Sequence, residues 1–184
     1  MAVPENPLWP SCRRGWAWGT CIPLEGGHLA MRHRRDEVIK RTIREFRQLD
    51  RLVANLSPKD WRRRVPRSET KDPWTVKDAL VHITYWKANT VRVINKEPQP
   101  PELRGLGINA GNHLIYARWR KRSPKDVLAW HRQVQKDVLA ALRAAPAEYF
   151  VRKSHGPEWP YDLDGHSSDH RIKDIERALT RVKG

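Results

Sequence analysis

Two histidines stand four residues apart in the stretch DGHSSDH, residues 164–170. Positions i and i+4 of a helix lie on one face, so His166 and His170 can present their imidazoles to a single ion. Two imidazoles alone bind weakly and suit several divalent metals. The pair is therefore a candidate half of a metal site, and the alternative is two solvated imidazoles on a basic helix.

A third histidine, His82, flanks the apolar stripe of the helical segment TVKDALVHITYWKANTVRVI. It could point into a helical bundle against the helix that carries the pair. Three neutral imidazoles leave positions open for water or substrate, as in a catalytic rather than a structural metal site. His82, His166 and His170 are thus the candidate ligands, whereas His131 lies on an apolar stripe where a lone histidine is usually a core residue.

Polar and aromatic side chains near these histidines have candidate supporting roles. Asp164 and Asp169 could orient the imidazoles through their second ring nitrogen. Each also has a plainer role, Asp164 as a helix N-cap and Asp169 as a first-turn charge. Tyr85, Trp86 and Trp159 could line an apolar pocket beside the ion, although an aromatic side chain on a helix stripe is more often part of the core.

The elements that must position these groups are helical. Apolar residues recur at three- and four-residue steps in four long segments, and Ser or Thr followed by Pro or Asp marks several helix starts. The long helices are expected at about residues 39–56, 75–94, 123–144 and 164–182, with a shorter one at about 109–120. Because no strand pair is evident, the sequence predicts an all-α four-helix bundle with a short extra helix.

The first thirty residues differ from the rest. They are rich in Pro, Gly and Trp and lack any period, so residues 1–30 are expected to be a disordered, irregular extension with Met31 as the true start. A Trp-anchored binding tail is the alternative, and residues 31–184 form the predicted bundle. Cys12 and Cys21 fit no usual zinc spacing or disulfide framework, which favours a reducing cytoplasm. No apolar run is long enough to span a membrane.

The formal net charge of +15 raises the question of an acidic partner. The excess of Lys and Arg over Asp and Glu lies in residues 31–70 and 111–150, whose apolar residues recur mostly at a helical period. A basic helix face is usually only a solvated surface. The runs Arg62–Arg64 and Arg118–Arg122 could contact nucleic acid, but no recognised binding motif accompanies them. A nucleic-acid-associated stress protein is therefore the less favoured alternative.

Several stretches together resemble one family. WTVKDALVHITYWKA is similar to the W-S/T-x-K-D-x-x-x-H segment that opens the second helix of DinB-like four-helix bundles. LSPKDW, INAGNHLIYARWRKRSPKDVLA and GHSSDHRIKDIERAL resemble the loop after helix 1, the third segment and the closing helix. The match spans about residues 36–182, and the nearest subgroup is the ClbS/DfsB type, which contains the colibactin self-protection protein and the DfsB-like proteins.

The resemblance implies a divalent metal, zinc or nickel, held by one histidine on helix 2 and an H-x3-H pair on the last long helix. Those positions fall on His82, His166 and His170. Superfamily members include thiol S-transferases, a mycothiol-dependent maleylpyruvate isomerase and hydrolases; some lack metal, and many are dimers. The expectation is a metal-dependent hydrolase or thiol transferase that acts on a small molecule, with a protective or detoxifying role and a homodimeric state. A non-catalytic bundle that binds a small molecule is the alternative.

One feature departs from the family pattern. An apolar residue more often stands four positions after the second histidine, where this chain has Asp174. At 100° per residue, an apolar stripe lies opposite His166 and His170; it comprises Ile172, Ile175, Leu179 and Val182. A π-bulge near Asp169–Asp174 would add one residue to a helical turn and bring the histidine pair and the apolar stripe onto the same face. Otherwise the histidines occupy an irregular first turn, or they face solvent and bind nothing.

Overall fold

The structure is a computed structural model that describes residues 20–23, 29–66, 71–152 and 163–180. Its helices are α1 (Arg35–Ala54), α2 (Pro58–Trp61), α3 (Val76–Ile94), α4 (Ile108–Trp119), α5 (Pro124–Ala144), α6 (Leu163–His170) and α7 (Arg177–Thr180). A π-helical segment, Arg171–Glu176, joins α6 to α7 without a break. Short 3₁₀ turns cover Pro101–Leu103 and Ala147–Phe150. The all-α bundle predicted from the sequence is confirmed.

Capping boxes set the starts of α2, α3 and α5. In each, a Ser or Thr precedes the helix and an Asp three residues later bonds back to it; the pairs are Ser57 with Asp60, Thr75 with Asp78, and Ser123 with Asp126. In the second pair the backbone N–H of Thr75 donates to Asp78 at 2.9 Å. These contacts satisfy amide groups that the first helical turn leaves without partners. They fix where α3, which carries His82, begins.

Contacts between helices define their relative directions. Arg132 of α5 bonds to Asp50 of α1 at 2.8 Å, and Arg35, near the other end of α1, reaches the carbonyl of Ala145 just after α5. The two helices are therefore antiparallel. Ion pairs from Arg41 and Glu45 of α1 reach progressively later residues of the closing segment 163–180, so these two run parallel. α3 packs against both α5 and the closing segment, which completes the four-helix bundle.

The core lies along the inner faces of these helices. The apolar stripe predicted for α3 is buried except at Trp86, which is partly exposed; its residues are Val76, Ala79, Leu80, Ile83, Trp86 and Ile94. They pack with apolar residues of α1, α5 and the closing segment. Among the helices in the described part of the chain, none is both long enough and apolar enough to cross a lipid bilayer.

A small antiparallel sheet, absent from the sequence prediction, accompanies the bundle. It consists of β1 (Thr20–Pro23), β2 (Leu29–Arg32) and β3 (Val151–Arg152), in that spatial order. Strands of two to four residues are too short to show an alternating pattern. Parts of the segment predicted as a disordered extension therefore pair with each other. The rest of that extension, residues 1–19 and 24–28, lies outside the described residues.

Candidate metal centre

His82 projects from α3 into the bundle interior, where its side chain is buried. Two indoles border its ring: the Trp74 ring centroid is 5.0 Å away, and Trp86 approaches edge-on at 6.2 Å. Trp74 is itself buried just before the N-terminus of α3. The histidine therefore sits in an aromatic wall that keeps bulk water from one side of its ring.

His166 and His170 face His82 from α6. The ring centroid of His82 is 5.3 Å from that of His166 and 4.5 Å from that of His170, and the latter two are 4.7 Å apart. One ring nitrogen of each histidine lies within 4.8 Å of the corresponding nitrogens of the other two. The structure thus brings together the three candidate ligands from two elements, α3 and α6, with His82 and His170 buried and His166 partly exposed.

A buried carboxylate holds one of these rings. Oδ2 of Asp174 is 2.6 Å from Nδ1 of His170, and both side chains are almost fully buried. Because the carboxylate accepts the Nδ1 proton, Nε2 of His170 is the ring nitrogen left with a lone pair for a metal ion. Sequence reasoning missed this role for Asp174, although a carboxylate four residues after a candidate ligand lies on the same helical face.

The π-helical segment explains how Asp174 and the apolar stripe both face inward. Up to Asp174, which lies inside this segment, the buried positions follow an α-helical spacing; they are Leu163, Ser167, His170 and Asp174. From Ile175 onward the buried positions continue one residue later, with Ile175 and Ala178. A π-turn contains one residue more than an α-helical turn, so the positions that face the bundle interior shift by one residue after it. The π-bulge interpretation of the sequence is confirmed, whereas Ile172, predicted in the apolar stripe, is exposed.

The other residues predicted near the site have separate contacts. Nε of Arg41 donates to Asp164 at 3.2 Å, and Asp169 forms an ion pair with Lys173. A role for Asp164 or Asp169 in orienting an imidazole stays a prediction. Nε1 of Trp86 donates to the amide oxygen of Asn112 at 3.3 Å, which fixes the indole beside His82.

Tyr85 borders a different space. It lines a cavity of about 300 Å³ between α3 and α5, together with Trp130 and Val134 rather than with the three histidines. The predicted pocket of Tyr85 and Trp86 is therefore divided between two places. Trp159, the third residue of that prediction, lies outside the described residues.

The donor set fits a divalent transition metal. Three imidazole nitrogens suit zinc, nickel or copper, and three protein ligands leave coordination positions for a small molecule. Of the remaining histidines, His131 is buried beside Thr84, and exposed His113 contacts Asp72 at 2.9 Å. Neither belongs to the group of nitrogens around His82.

Residues 43–161 match the family model described as Mycothiol maleylpyruvate isomerase N-terminal domain, a family within the DinB-like superfamily. The matched region covers more than half of the chain and contains His82, and it ends before His166 and His170. No curated protein and no solved structure gives a significant match to the chain.

Proposed function

Because the chain belongs to the mycothiol maleylpyruvate isomerase N-terminal domain family, we propose that it is a metal-dependent enzyme acting on a small molecule. The observation that carries the proposal is the convergence of His82, His166 and His170, whose ring nitrogens lie within 4.8 Å of one another. These three side chains would hold one divalent ion, zinc or nickel.

Bound there, such an ion supplies Lewis acidity: it lowers the pKa of a water or thiol and polarises a carbonyl. The protein's own groups prepare the site for that chemistry. Asp174 fixes the orientation and tautomer of His170. Trp74 and Trp86 provide an apolar wall beside His82, which excludes water and offers a surface to the carbon skeleton of a substrate.

Two reaction types are consistent with this site, hydrolysis and thiol transfer. The only cysteines are Cys12 and Cys21, and both precede the bundle residues in sequence. In a thiol transfer the reacting thiol would therefore come from a cosubstrate. The family description names mycothiol, so a low-molecular-weight thiol of that kind is the cosubstrate we propose. The resemblance to the ClbS/DfsB type adds a protective or detoxifying role to the proposal.

The basic surface has intramolecular uses that weaken the nucleic-acid alternative. Arg63 forms an ion pair with Asp60 at 2.8 Å and donates a hydrogen bond to the carbonyl of Leu179, also at 2.8 Å. Arg118 pairs with Glu102 at 2.8 Å. Members of both arginine runs therefore stabilise the bundle's own surface.

Metal content tests the binding part of the proposal. The full chain, purified without chelators, is expected to contain about one equivalent of zinc or nickel by elemental mass spectrometry, and His82→Ala less than about a tenth. His113→Ala is the matched control and should retain the metal, because His113 is exposed and contacts Asp72. A metal-free wild-type protein, or equal metal in His82→Ala, would contradict the proposal.

Turnover tests the catalytic part. Mycothiol with an electrophilic bimane, and a panel of activated esters, report thiol transfer and hydrolysis respectively. We expect one of the two reactions to proceed with the wild type and to fall at least about a hundredfold in His82→Ala. A protein that binds metal but accelerates neither reaction would be a non-catalytic small-molecule-binding bundle.

A further inference from the structure

A cavity of about 300 Å³ lies between α3 and α5, and the three candidate metal ligands do not line it. The loop that follows α3 completes its wall with Glu97 and Pro100. Small-molecule sites have volumes of about 300–1,000 Å³, so the cavity can hold a small organic compound. The positions of its apolar and charged side chains indicate which class of compound that is.

The two helices beside the cavity run in the same direction. Near the middle of α3, Oγ1 of Thr84 is 3.4 Å from Nδ1 of His131 in α5. Towards the ends of the two helices, Ile94 of α3 and Leu142 of α5 belong to one apolar cluster. Residues later in α3 therefore lie beside residues later in α5.

This shared direction gives the cavity two different ends. Tyr85 of α3 and Trp130 of α5 adjoin that hydrogen-bonded pair in the sequence, and their rings lie at the first end. Arg92 and Asp137 each come seven residues later on the same helices, a rise of about 10.5 Å. They line the second end of the cavity.

The first end is aromatic and apolar. Trp130 stacks on Trp119 with ring centroids 3.9 Å apart, and Tyr85 meets the ring of Trp86 edge-on at 5.9 Å. These contacts hold the two lining rings in place. Val134, one turn after Trp130, extends the apolar wall. An aryl or alkyl group of a ligand is the complement of such a surface.

The second end carries two carboxylates, those of Asp137 and Glu97. Gln133 donates to Asp137 at 2.9 Å, and Asn95 donates to Glu97 at 3.1 Å, so both hydrogen-bond donors are neutral amides. Within the described residues, neither carboxylate forms an ion pair. Both negative charges therefore remain available to a cationic ligand.

Arg92 is the cation at this second end. The backbone N–H of Glu97 donates to the carbonyl of Arg92 at 2.9 Å, which places the two residues side by side. The guanidinium of Arg92 donates to the side-chain oxygen of Asn89 rather than to a carboxylate. Together with Asp137, the charged lining comprises two anions and one cation. This excess of negative charge favours a ligand with one positive charge.

We propose that this cavity is a binding site for a small organic amine that carries an aromatic or other apolar group, and that it is separate from the metal centre. The ammonium contacts Asp137 and Glu97, and the apolar group packs beside Tyr85 and Trp130. Hydrogen bonds from an ammonium to a carboxylate are about twice as strong as those between neutral groups. The two ends of the cavity thus recognise the two halves of one molecule.

Three probes with the same phenylethyl skeleton test the proposal. They are 2-phenylethylamine, the neutral 2-phenylethanol and the anionic 3-phenylpropionate, and calorimetry or ligand-observed NMR measures their binding to the full chain at pH 7. Salt at about 0.15 M screens the exposed basic residues of the chain. We expect the amine to bind at least about tenfold more tightly than either of the other two. A smaller preference, or no binding of the amine, would overturn the proposal.

Variants assign the preference to this cavity. Asp137→Asn removes one carboxylate with little change of shape and should weaken amine binding at least about fivefold. Asp36→Asn, at the exposed start of α1, is the matched control and should bind the amine as the wild type does. Ala88→Leu adds side-chain volume to the wall and should weaken the amine and the alcohol alike. Circular dichroism checks that each variant is folded. Unchanged amine affinity in either folded cavity variant would overturn the proposal.

His82→Ala separates this site from the metal centre. It should lose metal and keep the preference for the amine, because His82 does not line the cavity. Loss of that preference in folded His82→Ala would contradict a separate site. A metal-free wild type that still prefers the amine would refute the proposed metal centre alone. A metal-loaded wild type that binds all three probes equally would refute the amine site alone.

Discussion

Asp174 accepts a hydrogen bond from Nδ1 of His170 at 2.6 Å, across a single turn of the closing helical segment. The two residues share one helical face, and the π-helical segment Arg171–Glu176 then brings the apolar residues that follow onto the same inner side. Asp174 is the last buried residue in helical register with His170. Ile175 is the first buried residue in register with the apolar core that follows. The irregularity therefore lets one continuous helical segment serve both the site and the packing.

Removing the charge of Asp174 should weaken metal binding. In Asp174→Asn the neutral amide holds the His170 tautomer less firmly and lowers the basicity of the ligand, so the metal dissociation constant should rise about 10- to 100-fold. Competition with a chromophoric chelator measures this constant. Asp50→Asn, which removes the carboxylate of the surface pair with Arg132, is the control and should match the wild type. Equal affinity in both variants would exclude a supporting role for Asp174.

Because the π-turn shifts the buried positions by one residue, replacing two isoleucines that are three residues apart should lower the free energy of unfolding by different amounts. Ile175 is fully buried, whereas Ile172 is 46% exposed. Ile175→Ala should lower the free energy of unfolding by about 2–4 kcal/mol, and Ile172→Ala by no more than about 0.5 kcal/mol. Urea unfolding measures both values. On an uninterrupted α-helix the two side chains would share one face, so similar losses for both variants would contradict the π-turn.

His131 should make the protein less stable in mild acid. Burial lowers its pKa from 6.5 to about 3, so the unfolded chain takes up a proton below pH 6.5 that the folded protein does not. The stability contributed by the neutral ring is therefore complete above pH 6.5 and is lost as the pH falls from 6.5 towards 3. Between pH 7 and pH 5 the expected loss is about 2 kcal/mol in the free energy of unfolding.

The variant His131→Gln isolates this contribution because its side chain does not titrate. Its free energy of unfolding should change less than that of the wild type between pH 7 and pH 5, by about the same 2 kcal/mol. Urea unfolding at the two pH values gives the comparison. An identical pH dependence in the wild type and the variant would contradict a lowered pKa of His131, because the folded protein would then take up this proton together with the unfolded chain.

Much of the fold follows from local sequence signals. The apolar period of α3 and the pairing of Thr75 with Asp78 specify where that helix lies, where it starts and which face it buries. The same reasoning identified His82, His166 and His170 as candidates that share the bundle interior. These predictions succeed because capping and helical periodicity depend on residues close together in the chain.

The features that the sequence did not reveal depend on the folded chain rather than on one local pattern. β2 pairs with the distant β3 as well as with its neighbour β1, and neither the length nor the composition of the three strands distinguishes them from loops. Asp174 looked like a departure from an apolar pattern, because only the structure shows which face of the closing segment is buried at that position.

The most direct test is a crystal structure of the protein with zinc, with data collected above and below the zinc absorption edge. A site formed by the three histidines predicts one anomalous difference peak at about 2.0–2.1 Å from a ring nitrogen of each of His82, His166 and His170. A peak held by other groups, or by His166 and His170 with the His82 ring outside bonding distance, would contradict the three-histidine metal centre.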